Sequence, residues 1–191
     1  MFFNSVKVLL VVFFLCLPNL AAAISVTGND AIDVFGFESD LQGYNNSTVN
    51  VHEGSEVAWI DAYDEANVNI YGGDISWLQV HGSSTSSIYG AESISWLILN
   101  DEANVAIYGY DFSYSDGHLS GYWENGDAFS FWAVTQDDLN SGDFTSILYS
   151  NITLYNTTTP IPEPTSLFLM GTGIAIFSGR KLRKKNPSRT S

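Results

Sequence analysis

Basic residues are almost missing from this sequence of 191 residues. There are 7 Lys and Arg against 21 Asp and Glu, and no Lys or Arg occurs between residues 8 and 179. All the acids lie between Asp30 and Glu163, so the middle of the chain carries 0 − 21 = −21 formal charges. Nucleic acid binding depends on Lys and Arg contacts to phosphates, and this composition excludes it. A hydrophobic content of 45% also argues against full disorder, because it can supply a core.

Cysteine is nearly absent as well, and the single Cys16 lies in an N-terminal segment that we expect to be removed. Residues 1–23 have the order of a secretory signal peptide, with Lys7 before an apolar run and an A-x-A cleavage site at Ala21 and Ala23. An uncleaved N-terminal membrane anchor is the alternative. A mature chain without cysteine has neither disulfides nor a thiolate metal site.

The C-terminus has three parts in a fixed order. The tripeptide Pro162-Glu163-Pro164 precedes a short apolar segment, 165–179, and a basic cluster follows it, formed by Arg180, Lys181, Arg183, Lys184 and Lys185. As a helix the apolar segment would be about 22 Å long, which is short for a hydrocarbon core of about 30 Å. Flanking Lys and Arg can compensate by snorkelling, and the positive-inside rule predicts a cytoplasmic basic end.

This tail resembles the PEP-CTERM sorting signal of Gram-negative bacteria over residues 162–185. The resemblance implies an exported protein that is held transiently in the inner membrane by segment 165–179 and processed by the transpeptidase exosortase. Residues 156–161 would then be a tether and 186–191 a cytoplasmic tail. A plain C-terminal anchor with an accidental Pro-Glu-Pro is the alternative.

The region 49–114 repeats itself four times. One motif begins at Val49, Val68, Ser86 and Val105, with spacings of 19, 18 and 19 residues, and a second contains Trp59, Trp77, Trp96 and Tyr114. Because two independent markers keep one period, we interpret the region as a repeat array. Both motifs alternate apolar and polar residues and are rich in β-branched and aromatic types, which predicts two short strands per repeat.

A repeat of this size cannot bury its own apolar face, so we expect the repeats to stack into a short parallel β-solenoid of 18–19 residues per turn. Val68, Ile70, Ile75 and Trp77 would lie in its core. An antiparallel β-sandwich remains the alternative, since a period does not give strand direction. Residues 24–48 are expected to form a lead-in or cap. Residues 115–155 are expected to form a C-terminal β cap that contains a hairpin between Asp116-Gly117 and Asn125-Gly126.

Two sets of aromatic residues are candidates for ligand contact. The tryptophans share the alternation phase of Ile75 and Ile94, which favours the core. Tyr71, Tyr89 and Tyr108 are one residue out of phase with neighbouring isoleucines, so we expect them to form an exposed stripe that contacts glycan.

The acidic turns suggest calcium less strongly than simple solvation. Asp64-Glu65 and Asp101-Glu102 occupy equivalent turns, but the repeat between them has Gly82-Ser83. Carboxylates suit Ca²⁺, yet no EF-hand spacing is present. His52, His81 and His118 have no common spacing, so the sequence predicts no catalytic residues and no required cofactor, with Ca²⁺ left as an open option.

We therefore expect a non-catalytic, acidic surface or extracellular-matrix protein that associates with exopolysaccharide in a biofilm. A polysaccharide-acting β-helix enzyme and a Ca²⁺-dependent adhesin are the alternatives.

Overall fold

Alternating side chains produce the strands of this protein. In the computed structural model, which describes residues 23–145 and 147–157, Val68 and Ile70 are buried while Asn67 and Asn69 between them face outward. Such alternation with period two buries one face of a strand and leaves the other in water. The same inside-outside order recurs in the successive turns of the chain.

The secondary structure is nearly all β. The elements in chain order are β1 Ile24–Val26, β2 Ala31–Val34, β3 Phe37–Glu38, β4 Leu41–Gly43, β5 Thr48–Val51, β6 Glu56–Ala62, β7 Asn67–Ile70, β8 Asp74–Val80, β9 Thr85–Ile88, β10 Ser93–Leu99, β11 Asn104–Ser115, β12 His118–Tyr122, β13 Ala128–Thr135, the helix α1 Gln136–Ser141, and β14 Ile152–Asn156.

These strands wind into a β-solenoid of about four turns, which confirms the expected fold. Strands β1, β4, β6, β8, β10 and β13 pair in parallel as sheet A, while β2, β5, β7, β9, β11 and β14 pair in parallel as sheet B. One turn, called a rung below, is a strand of sheet B followed by a strand of sheet A. The parallel pairing excludes the antiparallel sandwich for the repeats. Strands β1 to β4 of the predicted lead-in belong to the same two sheets.

The core lies between the sheets and is built from columns of aliphatic side chains. On sheet A, Ile60, Leu78 and Leu97 pair in register and are each 0% exposed. On sheet B, Ile70 pairs with Ile88, and both are also fully buried. Each such side chain contributes about 1.5–3 kcal/mol by leaving water. A rung is therefore stable mainly through its neighbours.

The turns from sheet A to sheet B require a left-handed backbone. Asn45, Asp64, Gly82 and Asp101 occupy equivalent positions with φ of 57°, 58°, 63° and 55°. Gly adopts this conformation freely, and Asn and Asp tolerate it better than other residues. The alternation of Asp and Gly at these turns is explained by this backbone requirement.

The C-terminal residues close the stack. Strand β11 continues from sheet B into an antiparallel hairpin with β12, and β12 pairs antiparallel with β13, as the turn dipeptides predict. Helix α1 starts with a capping box between Thr135 and Asp138. Leu148 and Tyr149 pack against the core, and β14 then pairs with β11 along sheet B.

Candidate glycan-binding surfaces

The predicted tyrosine stripe is a continuous stack of rings on the outer face of sheet B. Neighbouring ring centroids lie 4.5–5.5 Å apart and neighbouring planes are within 18° of parallel. This spacing follows from the strands, which are about 4.7–4.9 Å apart in a sheet. We call this stack the tyrosine ladder; its members are Phe35, His52, Tyr71, Tyr89, Tyr108 and Tyr155.

The structure brings all three predicted residues together in this ladder. Tyr71 is 48% exposed and Tyr89 is 39% exposed, while Tyr108 is half-buried. Burial, followed by the neighbouring phenols of Tyr89 and Tyr155, raises the pKa of Tyr108. Because each ring covers the face of the next, the inner rings offer solvent their edges and hydroxyl groups. The ladder is therefore a row of phenol rims and not a set of open stacking faces.

Sequence comparison missed the ends of this ladder because the residue type changes there. His52 replaces tyrosine in the first repeat, and Phe35 and Tyr155 lie outside the region 49–114. The signal was nonetheless present, since His52 precedes Tyr71 by the usual 19 residues. The ring of His52 lies 5.5 Å from that of Tyr71 and 4.5 Å from that of Phe35.

A row of polar side chains runs beside the tyrosine ladder. Asn69 Nδ2 donates to Asn50 Oδ1 at 2.9 Å, and Asn50 Nδ2 donates to Asp33 Oδ1 at 3.1 Å. His52 Nε2 lies 3.0 Å from the same Asp33 oxygen. The hydrogen bond with His52 is the main cause that lowers the pKa of Asp33; burial acts against it and Asn50 assists it. The row fixes hydrogen-bonding groups next to the aromatic rims.

The tryptophans also form a stack, but the prediction that they lie in the core is wrong. Trp59, Trp77, Trp96 and Trp132, the tryptophan ladder, have successive centroids 4.8, 5.4 and 5.2 Å apart. Trp59 is 41% exposed, and the other three are half-buried on the outer face of sheet A.

The cause is a break in alternation just before each tryptophan. In β6 the buried residues are Val57, Ile60 and Ala62, so both Ala58 and Trp59 face outward. The pairing of β6 with β8 passes from Val57 to Trp59 without a partner at Ala58. Every repeat carries the same irregularity, so the ladder stays in register while the phase of the strand changes.

A shorter ladder lines the far side of sheet A. The ring of Tyr63 stacks with Tyr44 at 5.0 Å and with His81 at 4.6 Å. Burial, and after it the charge of Asp61, raises the pKa of Tyr63. Asp61 Oδ1 lies 3.7 Å from His81 Nε2. Polar and aromatic groups therefore alternate across this face.

The acidic turns hold the backbone instead of converging on a common point. Asp64 Oδ2 accepts from the N–H of Asn45 at 3.2 Å, and Asp101 Oδ2 accepts from the N–H of Gly82 at 3.1 Å. Within the part of the chain that the structure describes, no group of three or more His, Asp or Glu is arranged to hold a metal. The described geometry gives the Ca²⁺ option no assembled site.

A comparison with protein families identifies the C-terminal segment. A family model of the PEP-CTERM protein-sorting motif matches residues 160–184. The chain carries a PEP-CTERM sorting motif. The match confirms the resemblance seen in the sequence and covers 25 of the 191 residues. Neither a curated protein sequence nor a solved structure gives a significant match to this chain.

The PEP-CTERM motif implies processing by exosortase. It identifies an exported protein that passes through a membrane-anchored intermediate. The predicted sorting tripeptide, basic cluster, membrane segment 165–179 and signal cleavage site all lie outside the described residues. Among the residues that are described, no helix is long and apolar enough to cross a membrane.

Proposed function

We propose that this protein is a non-catalytic surface or extracellular-matrix protein whose acidic solenoid associates with exopolysaccharide. The observation that carries the proposal is the outward position of the tyrosine ladder on a chain with an export motif. Tyr71, Tyr89 and Tyr155 are each more than a third exposed. Exposed aromatic rows of this kind are unusual on a surface that has no binding role.

The ladder has the chemistry that a long polysaccharide needs. Its phenol hydroxyls can donate and accept hydrogen bonds, and its ring edges offer apolar contact. The repeat distance of 4.5–5.5 Å between rings is comparable with the length of one pyranose unit in an extended chain. A glycan that runs along the solenoid axis would therefore meet one equivalent contact per rung.

A structural role is favoured over catalysis by the charge pattern. Polysaccharide-cleaving β-helix enzymes commonly combine Asp clusters with Lys or Arg, and no Lys or Arg occurs between residues 8 and 179. The turn carboxylates Asp64 and Asp101 are engaged by backbone N–H groups. Turnover of host or plant polysaccharide that disappears with a single Asp substitution would overturn the non-catalytic role.

Cosedimentation of the purified chain with exopolysaccharide from its native host tests the association. Tyr71→Ala should weaken binding about fivefold, which corresponds to about 1 kcal/mol for a modest aromatic contact. Tyr71→Phe keeps the stack and removes only the hydroxyl, so it separates hydrogen bonding from ring contact.

Tyr122→Ala is the matched control, because Tyr122 is 41% exposed but lies on β12, away from the tyrosine ladder. The control should bind like the unmodified chain. Equal losses in Tyr71→Ala and Tyr122→Ala, or no cosedimentation of the unmodified chain, would contradict the proposal.

A further inference from the structure

The tryptophan ladder has one end that no other ring covers. Trp59 stacks on Trp77 with centroids 4.8 Å apart, and this is its single ring stack within the described part of the chain. Trp77 and Trp96 each lie between two other indoles, and Phe144 lies 4.8 Å from Trp132 at the opposite end. The outer face of Trp59 is therefore the one indole face of this ladder that is free to take a ligand, in agreement with its 41% exposure.

A carboxylate occupies the position where the next indole would be. Strand β4 pairs with β6 so that Leu41 lies opposite Ile60, which places Asp40 opposite Trp59 in the preceding rung. Gln42 Nε2 donates to the two Asp40 oxygens at 3.3 and 3.2 Å, and Tyr44 Oη donates to Gln42 Oε1 at 3.0 Å. This chain of hydrogen bonds holds the carboxylate in place with neutral partners, so its negative charge is retained.

An indole face next to an unneutralised carboxylate favours a particular ligand chemistry. Cations are attracted to the face of tryptophan more strongly than to other aromatic rings. Hydrogen bonds between an ammonium group and a carboxylate are stronger than those between neutral groups. A flat apolar surface also contacts the C–H face of a sugar ring. An amino sugar with a free ammonium group satisfies all three requirements.

We propose that Trp59 and Asp40 form a binding site for a glycan that carries unacetylated amino groups, such as glucosamine units. The inference rests on the proposed association with polysaccharide and names the class of glycan. Charge supports it over other classes, since a body with 21 acids and no Lys or Arg between residues 8 and 179 attracts cationic polymers and repels uronate-rich ones. The single open face predicts one such site per chain.

Calorimetric titration with a matched pair of oligosaccharides tests the site. The probes are a β-1,4-linked glucosamine tetramer and its fully N-acetylated counterpart, which differ in charge but share a backbone. The protein is the full chain in a detergent without a sugar head group, at a pH where the amines are protonated. We expect one site per chain and at least tenfold tighter binding of the glucosamine tetramer.

Two variants and two controls separate this site from general attraction between opposite charges. Asp40→Asn and Trp59→Ala should each weaken glucosamine binding about tenfold or more. Glu102→Gln removes the same charge from an exposed turn, and Tyr122→Ala removes a ring of the same 41% exposure; both should bind within twofold of the unmodified chain. Circular dichroism spectra and thermal melts show whether each variant is folded. If Trp59→Ala does not fold, Asp40→Asn alone decides.

The outcomes distinguish this inference from the proposed function. If the two tetramers bind equally, or if Asp40→Asn and Glu102→Gln weaken binding to the same extent, the amino-sugar site is wrong while the association with exopolysaccharide can stand. If neither tetramer binds and host exopolysaccharide does not cosediment with the chain, both proposals fail.

Discussion

Replacing Leu78 by alanine tests which side of sheet A faces the core. Leu78 is 0% exposed and lies between Ile60 and Leu97, which are also fully buried. A Leu→Ala change at such a site removes buried methyl groups and leaves a cavity, and it costs about 3–5 kcal/mol. This is a large share of a typical total stability of about 5–15 kcal/mol. Because each rung is stabilised by its neighbours, the loss at Leu78 weakens contacts on both sides.

Trp77→Ala should cost less, although a tryptophan is the larger residue. Trp77 is half-buried on the outer face, so water fills the space that its ring leaves. The change removes two ring stacks, with Trp59 at 4.8 Å and Trp96 at 5.4 Å. Each stack contributes about 0.5–1.5 kcal/mol, so we expect a loss of about 1–3 kcal/mol.

Urea denaturation followed by circular dichroism measures both variants on one scale. Leu78→Met is the control, because a substitution that conserves volume in a core costs less than about 1.5 kcal/mol. Simple alternation from Ile75 predicts the reverse order, with Trp77 inside and Leu78 outside. If Trp77→Ala destabilises the chain more than Leu78→Ala, the phase change before each tryptophan does not exist.

Two further substitutions address backbone packing and pH. Gly72→Ala should strongly destabilise the chain, because its Cβ would lie 2.7 Å from backbone atoms of the preceding rung; Gly90→Ala at the equivalent position meets its nearest atom at 3.8 Å and should melt within a few degrees of the unmodified chain. Equal melting temperatures for the two variants would contradict this packing. Burial acts to raise the pKa of Asp138, but hydrogen bonds from Thr135 and Tyr149 outweigh it and lower that pKa. The stabilisation from this carboxylate is therefore complete above the unfolded pKa of about 3.9 and is lost as the pH falls through the folded value. The stability gap between the unmodified chain and Asp138→Asn, measured by urea denaturation, should shrink from pH 6 to pH 3; a constant gap would refute the coupling.

The solenoid was predictable because its period is written twice in the sequence. The inward positions of Val68, Ile70 and Ile75 follow from their alternation with polar residues, and all three are buried as expected. Parallel pairing was the preferred option because a rung of 18–19 residues cannot bury its own apolar face.

The position of the tryptophans could not be obtained by comparing repeats, because each repeat contains the same irregularity. Alternation counted forward from Val57 places Trp59 inside, whereas alternation counted back from Ala62 through Ile60 places it outside. Both counts use real apolar residues, and they conflict at Ala58. A conflict of this kind is itself the sequence signal for a local break in the strand.

The Asp40 position was missed for a different reason. The rung that contains β4 has Asp40 where later rungs have tryptophan, so the marker that defines the repeat is absent there. Only the pairing register of Leu41 with Ile60 reveals that the two positions are equivalent. The substitution that hid this rung from sequence comparison is also the one that leaves a face of Trp59 open.

The intact mass of the protein recovered from its native host tests the central claim most directly. If the chain is exported and processed by exosortase, the recovered species should begin after Ala23 and should lack the residues beyond the Pro162–Pro164 motif. A species that still ends at Ser191, in a host with an active exosortase, would contradict the account and would reduce the tail to a membrane anchor.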